Sequence, residues 1–372
     1  MTLHEIAVAA LLVLHGGLFA VLLTNLVYLR RTRVTADDWP RTEGWPTVSV
    51  LIPARNEESN LQRLLPSLAA QTYPHLEVVV VDDASEDGTW RVLQEALTAF
   101  EDAGHALRLV QGNGPPADWL GKPHALYQAS RVASGSCYVF LDADSRLRHP
   151  DAVRDLVARF RSRSDGAAPV VMSGLPRYDD TGAAALLTGL VPFSILSALP
   201  LPLVPRTRSA SIGALNGQCW MIEANAYHEH EPHQVHRDEI LEDVQIGRTL
   251  KRRGLRLHFV DLSDVLAVRM YERFSDAWRG FRKNAYLLAG GRVATFVPLW
   301  VGYALTFVVA PWLSLSLLAT IFALKGGCDL SQRLPLWLPL FAPASLLLAS
   351  LLQFDSAVSH WTGRVAWKGR SL

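Results

Sequence analysis

Three long stretches of this chain carry no formally charged residue: Ile6–Leu29, Val293–Leu324 and Leu334–Phe354. About 20 consecutive apolar residues are enough to cross a bilayer, so each stretch qualifies as a spanning helix. The segment between the first and second is charged and reads as a soluble domain. This pattern predicts a catalytic or binding domain anchored in a membrane and excludes a many-span transporter. An anchor occupies 1–33, with its span at about 6–29, and the domain occupies 45–290. Two further spans lie within 293–354, at about 296–324 and 334–354, and a basic tail covers 355–372.

Charge orients the spans. The first apolar stretch lacks a basic leader, and Arg30, Arg31 and Arg33 follow it. That favours an uncleaved anchor whose C-terminal end faces the cytoplasm. Arg364, Lys368 and Arg370 make the tail basic too. Three spans put both clusters and the domain on the cytoplasmic side and leave the loop Lys325–Arg333 outside. Over the whole chain 36 basic residues nearly balance 35 acidic ones, so nothing draws it globally to nucleic acid. Cys137, Cys219 and Cys328 offer no disulfide framework.

Within the domain, strand and helix patterns alternate. Thr47–Pro53 is β-rich. Glu57–Gln71 has apolar residues at helical spacing, with Pro66 predicting a kink or a helix in two pieces. Glu77–Asp82 is a continuous apolar run of the kind buried in a parallel sheet. A helix opening at Asp87-Gly-Thr89, a weaker strand at Leu107–Val110, a helix at 125–133 and a strand at Cys137–Leu141 follow. The alternation predicts an α/β fold with a mostly parallel, Rossmann-like sheet.

Ligands of such sheets bind beyond the carboxyl ends of the strands. There this sequence places Pro53-Ala-Arg-Asn-Glu57, Asp82-Asp83 and Asp142-Ala-Asp144. Alternation along a strand puts Asp142 and Asp144 on one face. Two carboxylates that close call for a positive partner, such as a hard divalent cation carrying phosphate oxygens. A helix N-cap on the segment near His149 is the plainer reading of the pair. Thr181–Pro205 is also free of formal charge, but Pro192, Pro200, Pro202 and Pro205 interrupt it. A single span there would also separate Asp144 from Asp243 across the membrane. The segment at about 181–205 therefore reads as interfacial helices, or helices buried against the domain, able to present a lipid-like substrate.

Six motifs follow in order: Val48–Glu58, Val80–Thr89, Gly121-Lys-Pro-His-Ala-Leu126, Phe140–Asp144, Asn216-Gly-Gln-Cys219 and Leu241-Glu-Asp243. Together they resemble the family 2 glycosyltransferases of the GT-A fold, over about Thr47–Asn284. Arg269-Met-Tyr271, Trp278–Asn284 and the tail Val365-Ala-Trp-Lys-Gly-Arg370 resemble a membrane subgroup of that family. It includes the carotenoid-acid glycosyltransferases of staphyloxanthin-type pathways and their hopanoid-associated relatives.

The resemblance implies an integral protein of a bacterial inner membrane. Its partners would be a UDP- or GDP-sugar, a lipid-soluble acceptor of carotenoid or isoprenoid type, and membrane lipids. A polyprenyl phosphate or glycolipid acceptor keeps the same chemistry. A nucleotide-sugar-binding or assembly protein without turnover is the alternative of another class. The resemblance gives Asp83 the nucleotide base or ribose, with Pro53, Ala54, Arg55, Glu57, Lys122, Asp142 and Ala143 around the nucleotide sugar. Asp144, with Asp142, would hold Mg2+ or Mn2+. By the same resemblance Asp243 would be the base of an inverting transfer, and Glu242 would orient it or the acceptor. An acidic helix start is the plainer reading of this pair. Trp278, Arg279, Arg282 and Lys283 would form the acceptor-and-diphosphate loop, or an amphipathic helix with snorkelling bases. The Gln-x-x-Arg-Trp form of processive synthases is missing, which implies transfer of one sugar. Four histidines, His228, His230, His233 and His236, crowd a segment that reads as an exposed loop rather than a zinc site.

Overall fold

The computed structural model describes residues 1–35, 44–164, 168–213 and 215–371. The chain divides into two compact units. One comprises Leu29–Arg177 and Leu203–Val268; the other comprises Met1–Tyr28, Tyr178–Pro202 and Arg269–Leu372.

The first unit is built on strands β1 (Val48–Ala54), β2 (Leu76–Asp83), β3 (Ala106–Gly112), β4 (Cys137–Leu141), β5 (Ser145–Leu147) and β6 (Val170–Leu175). Then come β7 (Arg177–Tyr178), where the chain passes between units, β8 (Cys219–Glu223), β9 (Arg256–Asp261) and β10 (Leu266–Val268). Seven of them form one sheet in the order β3-β2-β1-β4-β8-β6-β9. β1 to β4 run parallel, as do β6 and β9. Every residue of β2 and β4 is buried, as their unbroken apolar runs require of strands covered on both faces. β3 is one of the two edge strands and stays half exposed, in keeping with its weak apolar signal. The helix Glu58–Ala69 buries Leu61, Leu64, Leu65 and Leu68. It is one element, not two: Pro66 stands exposed in the last turns, where one missing N–H is cheaply borne.

The sheet departs from uniform parallel order at β8, which is antiparallel to both β4 and β6. This reversal has a consequence for function. An antiparallel strand starts at the end where its parallel neighbours finish. Cys219 pairs with Leu141, so Asn216–Gln218 arrives beside the residues that follow β4. β5 and β10 pair separately as a short antiparallel ribbon.

The second unit is largely helical. Leu3–Thr32, Val293–Leu313 and Leu338–Trp361 are long and apolar enough to cross a membrane. The expected span at about 296–324 does not run as one helix. Ser314 adopts extended dihedrals, and its hydroxyl caps a new helix at Leu315 by accepting from the Ser316 N–H at 3.1 Å. The expected outside loop from Lys325 is helical in its first part: Lys325 and Asp329, one turn apart, form a fully buried ion pair. Mutual neutralisation at that spacing makes their burial tolerable.

The uncharged segment near 181–205 folds as short helices, chiefly Ala185–Thr188 and Leu190–Ala198. Asn25, on the first apolar helix, fixes the end of this segment. Its amide donates to the carbonyls of Leu196 (2.8 Å) and Leu199 (2.7 Å), and its carbonyl accepts from the Leu201 N–H at 2.9 Å. Ala184 and Leu187 share a buried cluster with Ala277 and Leu352.

Candidate active site

The loops after β1 and β2 hold each other. Arg55 donates to the carbonyls of Asp83 (2.8 Å) and Ala84 (2.9 Å) and pairs with Glu86 at 3.4 Å. Asn56, with φ of 51°, donates its N–H to the Ser85 hydroxyl (2.9 Å) and accepts from the Glu86 N–H (2.8 Å). Asp82 caps the turn by accepting from the Ser85 N–H at 3.1 Å. Asp83 ends β2 and is buried. Pro53 and Ala54 are strand residues, in register with Val81 and Asp82. Glu57 stands at the N-cap position of the following helix without a side-chain cap bond, and its N–H donates to the Thr89 hydroxyl at 2.8 Å. The structure thus gathers these residues at the carboxyl ends of β1 and β2, with the Arg55 guanidinium bracing the turn after Asp83.

β4 ends at Leu141, one residue before the first carboxylate. Asp142 is tied to β8 by its N–H, which donates to the Gln218 carbonyl at 3.2 Å. Ala143 and Asp144 form a turn closed by the Ser145 N–H on the Asp142 carbonyl at 3.2 Å. Strand alternation therefore does not govern this pair; a tight turn with buried Ala143 at its centre does. Lys122 reaches Asp142 from the first turn of the helix Gly121–Val132, at 2.9 Å and 3.0 Å from its two oxygens. The same ammonium lies 3.1 Å from Glu242. Burial works against its charge, but Asp142, Glu242 and Asp243 outweigh it and hold Lys122 well above the ordinary lysine range.

Glu242 and Asp243 open the helix Glu242–Arg252, where the dipole favours negative charge. Asp243 accepts from the Gly217 N–H at 2.8 Å and from the Val244 N–H at 2.8 Å. Desolvation and the neighbouring Glu242 nevertheless push its carboxyl up to about 6, against the pull of Lys122 and the two N–H donors. A side chain at 217 would collide with this arrangement. A Cβ there would stand 2.9 Å from an Asp243 oxygen and 3.1 Å from the Lys122 ammonium. Gly217 is thus part of the site, as donor and as the space the carboxylate occupies. The sequence displays the Asn216-Gly-Gln motif, but a backbone donor leaves no side-chain signal of its role.

The histidine-rich stretch is not an exposed loop. It forms the helices Ala224–His230 and Pro232–Val235, joined at Glu231 in the left-handed region. Its histidines take separate partners: His228 the Tyr138 hydroxyl (2.9 Å), His233 the Tyr227 hydroxyl (2.8 Å) and His236 the Thr249 hydroxyl (2.9 Å). His233 is fully buried against Phe140 and Trp220, and desolvation, with help from Lys122, lowers it to about 3. It stays neutral at physiological pH and packs beneath β4.

Among the described residues no group of three or more His, Cys, Asp or Glu could by itself hold a metal. Asp142 and Asp144 nonetheless fit a hard divalent cation. Mg2+-type ions are commonly held by one or two carboxylates, with substrate phosphates and water completing the shell. Trp278, Arg279, Arg282 and Lys283 belong to the helical unit. There the Trp278 indole N–H donates to Asp355 at 2.7 Å, and Arg279 pairs with Asp276.

Comparison with known proteins bears on the fold and on what the chain is similar to. Residues 49–182 match the family described as Glycosyl transferase family 2. The 4,4'-diaponeurosporenoate glycosyltransferase of Staphylococcus aureus (strain USA300) is 26% identical over 275 residues, 72% of this chain and 69% of that protein. Its namesake from Staphylococcus haemolyticus (strain JCSC1435) is 25% identical over 373 residues, 93% of this chain and 94% of that protein. Among solved structures, the mannosyltransferase PcManGT from Pyrobaculum calidifontis, in complex with GDP-Man and Mn2+, superposes with a TM-score of 0.57. It is 22% identical, and the match covers 99% of this chain and 100% of that one. Residues 49–182 of this chain thus look like a glycosyl transferase family 2 domain, in a chain that shares the GT-A fold and has three apolar helices of membrane-spanning length among its described residues.

Proposed function

We propose that the protein is an inverting glycosyltransferase of the bacterial inner membrane, its catalytic domain facing the cytoplasm. It moves one sugar from a UDP- or GDP-sugar to an apolar lipid acceptor of the carotenoid or isoprenoid type. The observation that carries the reading is the Asp243 carboxylate, held by the Gly217 N–H and sharing Lys122 with Asp142 and Glu242, in a glycosyl transferase family 2 domain. The acceptor class rests on the carotenoid-acid relatives, one of which aligns over nearly the whole chain. The placement in the membrane rests on the three apolar helices and the basic residues beside them.

In this reading Asp83 accepts hydrogen bonds from the nucleotide, on a turn that Arg55 keeps rigid. Asp144 and Asp142 hold Mg2+ or Mn2+, which when bound offsets charge on the leaving nucleoside diphosphate. Asp243 takes the proton of an acceptor hydroxyl as that oxygen attacks the anomeric carbon. A carboxyl at about 6 suits the task, since it is ionised at neutral pH and basic enough to keep the proton. Lys122 lets three acids coexist in one small volume. Where the acceptor is a carboxylic acid, it arrives ionised, and Asp243 then orients it.

The test incubates purified full-length protein with UDP- and GDP-sugars, Mn2+ or Mg2+, and a panel of carotenoid acids, carotenoid alcohols and polyprenyl phosphates. Mass spectrometry identifies the products. One hexose added to a carotenoid, lost with EDTA and restored by the cation, is the expected result. Transfer only to polyprenyl phosphate would overturn the acceptor, and no transfer to any acceptor would overturn the activity.

A further inference from the structure

β6 carries a single hydroxyl, that of Ser173, and buries it. The strand does not need it. Residue 173 is in register with Trp220 of β8 on one side and with Phe259 of β9 on the other. The β6–β8 register stops there, so the turn Asn216–Cys219 lies just beyond the reach of main-chain pairing with β6. The Ser173 hydroxyl serves that turn instead. It accepts from the Asn216 N–H at 2.9 Å, and its one proton faces the carbonyls of Cys219 (3.0 Å) and Asn216 (3.3 Å).

One side chain therefore holds both ends of a four-residue turn, which the Cys219 N–H closes on the Asn216 carbonyl at 3.2 Å. Asn216 adds its own ties. Its side-chain amide donates to the Gly174 carbonyl at 2.9 Å, and its side-chain oxygen accepts from the Gln218 N–H at 3.3 Å. The middle of the turn serves the site. The Gly217 N–H donates to Asp243, and the Gln218 carbonyl accepts from the Asp142 N–H. Asp142 has a second hold, Lys122 on both of its oxygens. The other N–H on Asp243 comes from Val244, the next residue, and moves with it. The Gly217 N–H is thus the bond that ties Asp243 to the sheet. All of these residues belong to one compact unit.

We propose that Ser173 is a positioning residue for transfer: its hydroxyl locks the Asn216–Cys219 turn and so sets where the Gly217 N–H holds the Asp243 carboxylate. The inference rests on reading the protein as a glycosyltransferase with Asp243 as its base. Without the hydroxyl the turn loosens at both ends, and the carboxylate loses its fixed place against the acceptor. Donor capture is spared, because Lys122 keeps Asp142 in position.

Thr and Val are both β-branched, suit a strand and differ by the hydroxyl. Ser173→Thr and Ser173→Val therefore share any effect of added bulk. In full-length protein two quantities are read: donor KM and kcat of transfer from UDP- and GDP-sugars to a carotenoid alcohol, and hydrogen exchange of the 215–219 amides by mass spectrometry. Ser173→Val is expected to fall about 5- to 30-fold below Ser173→Thr in kcat, with donor KM within about 2-fold. Its turn amides should exchange about 10-fold faster than those of Ser173→Thr. With Gly217→Ala added to both, the kcat difference should nearly vanish, because both residues act through the same turn. Equal kcat or equal exchange in the two variants would overturn the inference alone, as would a loss confined to donor KM. If neither variant folds, Ser173→Ala against wild type carries the same comparison. A wild-type protein that transfers no sugar would remove the reading beneath it, and exchange would still decide whether the hydroxyl holds the turn.

Discussion

Lys122 faces Asp142, Glu242 and Asp243, and its charge opposes the upward shift of the Asp243 carboxyl. Asp243 is already raised to about 6 despite Lys122. Activity that needs the ionised carboxylate should fall as pH drops through about 6. Lys122→Met should shift that acid limb upward, read from kcat/KM between pH 5 and 9 with a hydroxyl acceptor. The same shift has a stability sign. A carboxyl raised above its unfolded value binds its proton more tightly in the folded state. That stabilisation is full below about 4 and is lost as pH rises through about 6. Asp243→Asn should therefore melt no lower than wild type at pH 8. Gly217→Ala tests the other support of Asp243. Its methyl would push the carboxylate aside, since the nearest atoms are side-chain ends that can move. The expected outcome is a kcat lower by about 10- to 100-fold, with a stability change below about 1 kcal/mol. Asp142, Lys122, Glu242 and Asp243 could be singled out in the sequence because their side chains state their chemistry, and the structure brings these four together. Gly217 was not, since its contribution is an N–H and an empty place.

At the scale of elements, the legible parts were those whose burial shows in composition. β1, β2 and β4 announce themselves as apolar runs, and the helix Glu58–Ala69 by its spacing. The direction of β8 was hidden, because five residues carry no information about the neighbour they will pair with. Yet that reversal delivers Gly217 to the site. The split at Ser314 was hidden for a related reason: hydropathy sees charge, and a capping serine within an apolar run has none. Asn25 was similarly silent inside a predicted span, although it closes three hydrogen bonds to the end of the Leu190–Ala198 helix and the turn beyond it. Asn25→Leu leaves two carbonyls and one N–H in need of partners. It should destabilise the helical unit by about 1–3 kcal/mol, measured as a lower melting temperature in detergent.

Taken whole, the molecule joins a nucleotide-type sheet to helices suited to lipid, and its proposed substrates divide the same way, one water-soluble and one apolar. The charge-free stretches made this architecture readable at once, whereas the compact helical unit also takes in residues 178–202 and 269–290, which sequence alone assigned to the catalytic domain. The short helices of 182–198 belong to it, and Ala184 and Leu187 pack with Ala277 and Leu352 rather than lying open to water. The central claim is that Asp243 drives transfer of a sugar to a lipid acceptor, and Asp243→Asn tests it most directly. Wild-type and variant proteins, equally folded, are compared for transfer from UDP- and GDP-sugars to a carotenoid alcohol at pH 8 with Mn2+. The account predicts glycosylated product from the wild type and a loss of about 100-fold or more in kcat for the variant, with donor KM little changed. Equal product formation by the two proteins would contradict it.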